Sequence, residues 1–284
     1  MRIDLHTHST ASDGTETPAE LVEAAGSAGL HVVALTDHDT TAGWTEATAA
    51  ALAGGLTFVP GIEISCQRDG RSIHLLGYLP DPANPAFAGE LALVRSARVT
   101  RLERSVEVLA AAGIPITYAE VLAQVPPGVA PGRPHIADAL VASGVVGHRD
   151  EAFARWLHND SPYYVRHYAP DPVHAVRLVR EAGGVAVLAH PFNRMPQREV
   201  PRALVAELAE VGLVGLEAYH PDHDEQARQR ATALAAQLGL LVTGSSDYHG
   251  SGKTNRLGQD TTDPDVLAEI ERRATGTAVV RPGP

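Results

Sequence analysis

Short apolar runs alternate with helix-spaced apolar positions through the first part of the chain. Residues 3–5 predict a strand. Residues 18–28 predict a helix, with Thr17 as N-cap, Pro18 at its first position and Glu20 in its first turn. Gly29 ends it. Residues 32–36 predict the next strand, and residues 43–53 an alanine-rich helix closed by Gly54 and Gly55. Residues 57–59, 63–65 and 73–78 predict further strands. Strands alternating with helices imply a parallel sheet or barrel.

The pattern changes after Pro80-Asp81-Pro82. Residues 86–112 predict one long helix, and residues 118–124, 135–143 and 151–158 predict shorter ones. Pro170 to Pro172 mark a return to alternation. Helices are expected over 174–182, 200–211, Glu225–Leu238 and 266–273, and strands over 185–189, 214–218 and 240–244. The expected architecture is α/β, with residues 1–82 and 165–284 as a barrel domain and residues 83–164 as an inserted helical cap.

Potential metal ligands stand where the apolar runs stop. Residues 3–5 lead into His6-Thr7-His8; if the strand continues, both histidines point to one face. A single such pair says little. The run 32–36 leads into Asp37-His38-Asp39, and the run 57–59 into Gly61-Ile62-Glu63. His74 lies within 73–78. The run 185–189 leads into His190-Pro191, and 240–244 into Ser245-Ser246-Asp247-Tyr248-His249. In parallel α/β folds, active-site groups gather at the carboxyl ends of strands. Repetition of this placement turns the opening pair from a coincidence into part of a site.

Composition narrows the chemistry. The chain has 284 residues, of which 44% are hydrophobic, enough for a full core. No apolar run approaches the roughly 20 residues of a membrane span, and the start of the chain does not resemble a secretory signal. Cys66 is the lone cysteine, so a thiolate zinc site and an intrachain disulfide are excluded. A cytoplasmic location is expected. The net charge of −11 disfavours long nucleic acid as a partner. It leaves room for a small anion, because bound divalent ions reverse the local sign. Fourteen histidines suit a multinuclear metal site.

Taken together, these motifs resemble the PHP (polymerase and histidinol phosphatase) family of metal-dependent phosphoesterases. The segments that carry the resemblance are His6-Thr7-His8, Ser12-Asp13-Gly14, Thr36-Asp37-His38-Asp39, Gly61-Ile62-Glu63, His74, Ala189-His190-Pro191 and Ser246-Asp247-Tyr248-His249. Within the family the chain is similar to the standalone group of nucleoside 3′,5′-bisphosphate phosphatases and a short-RNA 5′ exonuclease, which also carries a helical insertion. The resemblance implies a distorted barrel of seven parallel strands with a trinuclear metal cleft. One metal is expected on His6, His8, Glu63 and Asp247. Glu63 would bridge to a second, completed by His74 and His190. The third would use Asp13, His38 and His249; Asp at position 13 is typical of this group.

Imidazole and carboxylate ligands without thiolate suit Mn²⁺, Fe²⁺ or Zn²⁺, with manganese favoured. Such ions acidify a bound water to a hydroxide that attacks phosphorus in line, with Asp13, His38, Glu63, His190 and Asp247 as the core catalytic set. Asp37 and Asp39 could orient an imidazole or serve as turn residues. In the cap, Arg133 next to Pro134-His135 at a helix start is an anion-site candidate, and the resembling group uses a similar segment on substrate phosphate. Arg166, His167, Asn193 and Arg194 could line the cleft or the surface. His31, His148, His158, His174, His220 and His223 read as surface or structural. Gly252-Lys253-Thr254 is not a P-loop, because Asp247 occupies the position that needs glycine.

The expected activity is hydrolysis of a small phosphate ester, a nucleotide 3′-phosphate or nucleoside 3′,5′-bisphosphate. The alternatives are a cyclic-nucleotide or diester phosphodiesterase, a 5′ exonuclease on short RNA, a histidinol-phosphate phosphatase, or a non-catalytic metal- or nucleotide-binding module. No membrane or obligate protein partner is expected.

Overall fold

The computed structural model describes residues 1–126, 132–158, 160–192 and 199–283. Seven strands follow one another around a single sheet in chain order. β1 (Ile3–Asp4) pairs in parallel with β2 (Val32–Leu35), and β2 with the first residues of β3 (Thr57–Arg68). From Gly61 onward β3 pairs with β4 (Arg71–Tyr78) in an antiparallel hairpin. β4 is also antiparallel to β5 (Val185–Leu188). β5, β6 (Gly215–Tyr219) and β7 (Leu241–Gly244) are mutually parallel. A parallel bridge between Thr7 and Tyr248 joins the segments after β1 and β7, so the barrel is nearly closed.

The seven-stranded α/β barrel is as expected, but its parallel order is broken at β4. The reason is local. Asp69 and Gly70 both have positive φ, 51° and 76°. Two such residues make the tight turn whose twist suits a hairpin, and a hairpin can only return antiparallel. The expected strands at 57–59 and 63–65 are also one strand. Pro60 is the last residue facing β2, and Gly61 the first facing β4.

Side chains alternate between two environments along each strand. Ile3, Val32, Ala34, Val59, Leu76 and Val187 share one core, with Leu267 and Ile270. The intervening residues face the surrounding helices. Val33, Leu35 and Phe58 pack on α1 (Pro18–Ser27) and α2 (Trp44–Gly54). Thr17 and Glu20 form a capping box at the start of α1, which fixes that helix where the sequence places it.

Between β4 and β5 the chain is helical: α3 (Pro85–Ala111), α4 (Tyr118–Leu122), α5 (Arg133–Ala142), and α6 (Arg149–Ala152), which runs on as a π-helical turn, Phe153–Leu157. These elements have their own core, including Leu102, Val106, Val121, Ile136 and Leu157. The first turns of α3 pack elsewhere: Phe87 and Leu91 join the barrel-side cluster of Ile64, Val176 and Leu188. The remaining helices are α7 (Pro172–Glu181), α8 (Arg202–Val211), α9 (Glu225–Leu238) and α10 (Pro264–Arg273). α10 supplies Leu267 and Ile270 to the barrel core. No helix among the described residues is long and apolar enough to cross a membrane.

Candidate metal centre

β1 ends at Asp4, whose carboxylate accepts the backbone N–H groups of Ser246 (3.0 Å) and Gly258 (2.8 Å). These bonds hold the start of the His6 segment against the loop after β7. Thr7 is tied to the end of β2, donating Oγ1–H to Ala34 O at 2.6 Å. His6 and His8 therefore emerge side by side, fully buried, with their Nε2 atoms 3.1 Å apart.

Three groupings surround that pair. Glu63 Oε2 lies 3.2 Å from His6 Nε2 and 3.1 Å from His8 Nε2, and Asp247 Oδ1 lies 3.4 Å from each. The other Glu63 oxygen faces His74 Nδ1 at 2.8 Å and His190 Nε2 at 3.1 Å. His38 Nδ1 stands 3.2 Å from Glu63 Oε2. Asp13 faces His249 Nε2 at 3.4 Å, His8 Nδ1 at 3.7 Å and His38 Nε2 at 3.8 Å. Gly14 allows that loop to fold in, since a Cβ there would sit 2.3 Å from His8 O. The nine residues His6, His8, Asp13, His38, Glu63, His74, His190, Asp247 and His249 thus meet in one cluster.

The donor set fits divalent cations. The atoms of His6, His8, Glu63 and Asp247 converge within 4.8 Å of one another, as do those of His8, Asp13, His38 and His249, and those of His38, Glu63 and His74. Among the described residues, buried His8 Nδ1 and His38 Nδ1 have no hydrogen-bond partner. Burial pushes the Glu63, Asp13 and Asp247 carboxyls up, but their basic neighbours outweigh it and hold all three well below the usual range: His38 and His74 act on Glu63, His249 and His38 on Asp13, and Lys253 and His249 on Asp247. Buried carboxylates that stay ionised need positive charge at their centre, and bound metal ions would supply it. Backbone strain collects here too. His190 and Asp247 have φ of 28° and 50°, costing roughly 1–3 kcal/mol each and held only by their surroundings.

Glu217 is a residue the motifs did not reveal. It is fully buried on β6. Its carboxylate faces His6 Nδ1 at 3.1 Å, accepts the His190 N–H at 2.9 Å and bonds Ser245 Oγ. Burial raises its pKa, yet His6 and His220 overcome this and hold it at about 2. His220, read as surface or structural, is not at the surface: it is fully buried, with Nε2 3.4 Å from Asp247 Oδ2. It follows β6 and precedes a proline, just as His190 follows β5 and precedes Pro191, and that repeat is the signal for it. Lys253 reaches the same Asp247 oxygen at 2.5 Å, although its segment is no P-loop. His223 is structural, donating Nδ1–H to Ala218 O and accepting from Phe192 N. His31, His148 and His174 are exposed, and His158 is half-buried.

Asp37 and Asp39 touch no imidazole. Asp37 accepts from Ser9 N, Ser9 Oγ and Ser12 Oγ at 2.6–2.8 Å, holding the loop that carries Asp13. Asp39 accepts Ser65 N–H at 2.8 Å and pairs with Arg98.

A cavity of about 340 Å³ opens beside the cluster, and Asp13, His38, His74 and His249 line it. Arg98, Arg101, Arg133, Arg149, Phe153, Tyr164 and Lys253 line it too. Arg133 donates to Leu157 O at 2.6 Å and sits 5.4 Å from the Tyr164 ring centre. Arg101 lies 4.9 Å from the same ring, and its buried Nε and Nη2 lack hydrogen-bond partners among the described residues. Burial, then Arg133 beside it, pulls Arg101 down to about 9. Arg149 pairs with Asp138 and donates to Asp13 O at 3.3 Å. His135 does not line the cavity; its Nδ1 accepts the Gly132 N–H at 3.0 Å at the start of α5. Arg166 and His167 lie in a separate groove with Arg101 and Arg104. Asn193 and Arg194 fall outside the described residues.

The chain is similar to known proteins. The PHP domain family matches residues 4–124. A 3′,5′-nucleoside bisphosphate phosphatase from Chromobacterium violaceum is 32% identical over 280 residues, covering 99% of this chain and 98% of that protein. A 5′-3′ exoribonuclease from Haemophilus influenzae is 36% identical over 251 residues, covering 87% of this chain and 90% of its own. A crystal structure from Bifidobacterium adolescentis, provisionally assigned as a metal-dependent phosphoesterase, superposes with a TM-score of 0.92 at 43% identity, over 96% of each chain. With this fold, this cluster and these relatives, the chain belongs to the PHP family and is a metal-dependent hydrolase of phosphate esters.

Proposed function

We propose that the protein removes phosphate from a nucleotide 3′-phosphate or a nucleoside 3′,5′-bisphosphate. The observation that carries this reading is the cavity itself: candidate metal ligands, arginines and an aromatic ring line it together. A volume of about 340 Å³ suits a small ligand rather than a polymer. The bisphosphate phosphatase from Chromobacterium violaceum, matched over nearly its whole length, supports the same substrate class. In this reading residues 1–82 and 165–284 form the barrel domain, and residues 83–164 cap it. The cytoplasm is the proposed setting, in keeping with a lone, buried cysteine, Cys66.

The nine clustered residues would hold three divalent ions, with manganese favoured. When bound, these ions supply a hydroxide nucleophile near neutral pH and neutralise charge on the phosphoryl oxygens. The chain does the rest. Arg133 and Arg101 face the cavity with guanidinium groups able to bind a second, non-reacting phosphate. Tyr164, which lines the cavity near both arginines, would contribute aromatic surface for a base or ribose. Lys253 stands at Asp247 with a positive charge for the reacting group. Asp37, through Ser9 and Ser12, holds Asp13 at the cavity mouth.

A second reading, 5′ exonuclease on short RNA, is favoured by the groove of Arg101, Arg104 and Arg166, where further phosphates could run outward from the cavity. Purified protein with Mn²⁺, given adenosine 3′,5′-bisphosphate, a cyclic nucleotide and a short 5′-phosphorylated RNA, separates the two. Fastest phosphate release from the bisphosphate is expected. Faster cleavage of the RNA selects the second reading, and no phosphate release from the bisphosphate defeats the first.

A further inference from the structure

Helix α3 grips the candidate metal centre through two arginines one turn apart. Arg95 Nη1 donates to Asp39 O at 2.9 Å. Arg98 Nη2 lies 2.6 Å from Asp39 Oδ2 and donates to Ser65 Oγ at 2.6 Å. Asp39 completes the lattice: its Oδ1 accepts from Ser65 N at 2.8 Å, and its N–H donates to Glu63 O at 2.9 Å. Asp39 directly follows His38, and Ser65 is two residues beyond Glu63. None of these bonds touches an imidazole or the Glu63 carboxylate. They fix the two stretches of backbone from which His38 and Glu63 project.

The lattice is energetically committed. Asp39 is fully buried and left-handed, with φ of 56°. A non-glycine residue holds that conformation only where its surroundings over-determine it, and a buried carboxylate that loses its cation is strongly disfavoured. The same helix joins two cores. Phe87 and Leu91 pack on the barrel side, and Leu102, Val106 and Leu109 pack in the helical block. Seating of the block and geometry of the ligand loop therefore share one rigid element.

We propose that Arg98, acting through Asp39, is a positioning residue that sets His38 and Glu63 for metal binding. This rests on the reading of His38 and Glu63 as ligands. Outer-shell groups of this kind typically control metal affinity by 10–100-fold. Arg98 also lines the cavity, but Asp39 does not, so the Asp39 variant isolates positioning from substrate contact.

The test compares wild type, Asp39→Asn, Arg98→Met and Arg98→Lys, with folding checked by melting temperature. Mn²⁺ affinity is read by competition with a chelator, and kcat and KM at saturating Mn²⁺ on adenosine 3′,5′-bisphosphate. Asp39→Asn and Arg98→Met are expected to weaken Mn²⁺ binding by about 10–100-fold. Asp39→Asn should lower kcat while leaving KM within about twofold of wild type. Arg98→Lys should recover part of the affinity, since it keeps the charge but loses the fork. Wild-type Mn²⁺ affinity in folded Asp39→Asn and Arg98→Met, with a raised KM in Arg98→Met alone, overturns the proposal. If Asp39→Asn does not fold, Arg98→Met with wild-type Mn²⁺ affinity overturns it equally. Wild-type protein that binds no Mn²⁺ defeats the ligand reading itself, a separate and visible failure.

Discussion

His6 Nε2 and His8 Nε2 stand 3.1 Å apart, each within 3.4 Å of both Glu63 Oε2 and Asp247 Oδ1. Two imidazole nitrogens and two carboxylate oxygens that close make a poor hydrogen-bond network, because acceptors outnumber donors unless protons are added. They make a good coordination shell. Asp247→Asn keeps the shape and removes the charge. It should cut phosphate release by more than about 100-fold, beyond the usual outer-shell effect, while the melting temperature stays near that of wild type. An Asp247→Asn enzyme with near-normal turnover would remove Asp247 from the reaction.

Glu217 makes a second, independent demand. It faces His6 Nδ1 and accepts the backbone N–H of His190, so one carboxylate orients two candidate ligands. Glu217→Gln presents an N–H where an acceptor is needed. Chelator competition should show metal affinity about 10–100-fold weaker. Unchanged affinity would make Glu217 a packing residue only.

How much of this was legible in the sequence depends on the kind of signal. His38, His190 and Asp247 were readable because each follows a short, mostly apolar strand, and strand ends are where α/β folds collect their chemistry. His220 obeys the same rule after β6, but the sequence alone does not show that it, and not Asp222, His223 or Asp224 beside it, reaches the cluster. Glu217 sits inside a strand, between Leu216 and Ala218, where a carboxylate gives no local hint of its partners. The reversal of β4 was signalled by Asp69-Gly70, a hairpin pair, but continuous apolar runs hide strand direction. The excess of cations around Arg101 came from tertiary packing: Arg133 stands beside it only once α3 and α5 meet.

Arg133 and Arg101 should matter for substrates carrying a second phosphate. A hydrogen bond to a charged group contributes about 1.5–3 kcal/mol. Arg133→Met or Arg101→Met should therefore raise KM for adenosine 3′,5′-bisphosphate by about 10–100-fold. The same variants should change KM for adenosine 3′-phosphate far less. Equal effects on both substrates would place these arginines at the reacting phosphate or in the fold alone.

His167 makes stability depend on pH. Burial first, then Arg101, Arg98 and Arg133, hold its pKa down to about 3, against an ordinary value of 6.5. The unfolded chain takes up this proton near 6.5, and the folded chain resists until about 3. Its contribution therefore turns progressively unfavourable as pH falls from 6.5 towards 3. His167→Asn should lose less melting temperature than wild type between pH of about 7 and about 4.5. Parallel curves for the two proteins would contradict this.

The most direct measurement follows metal content and turnover in the same samples. Protein stripped by chelator is reloaded stepwise with Mn²⁺, and bound metal and phosphate release from adenosine 3′,5′-bisphosphate are read at each step. The stripped protein should be inactive, and turnover should rise with bound Mn²⁺ and saturate with it. Phosphate release by stripped protein, or full loading without turnover on any phosphate ester, would contradict a metal-dependent phosphoesterase built on this cluster.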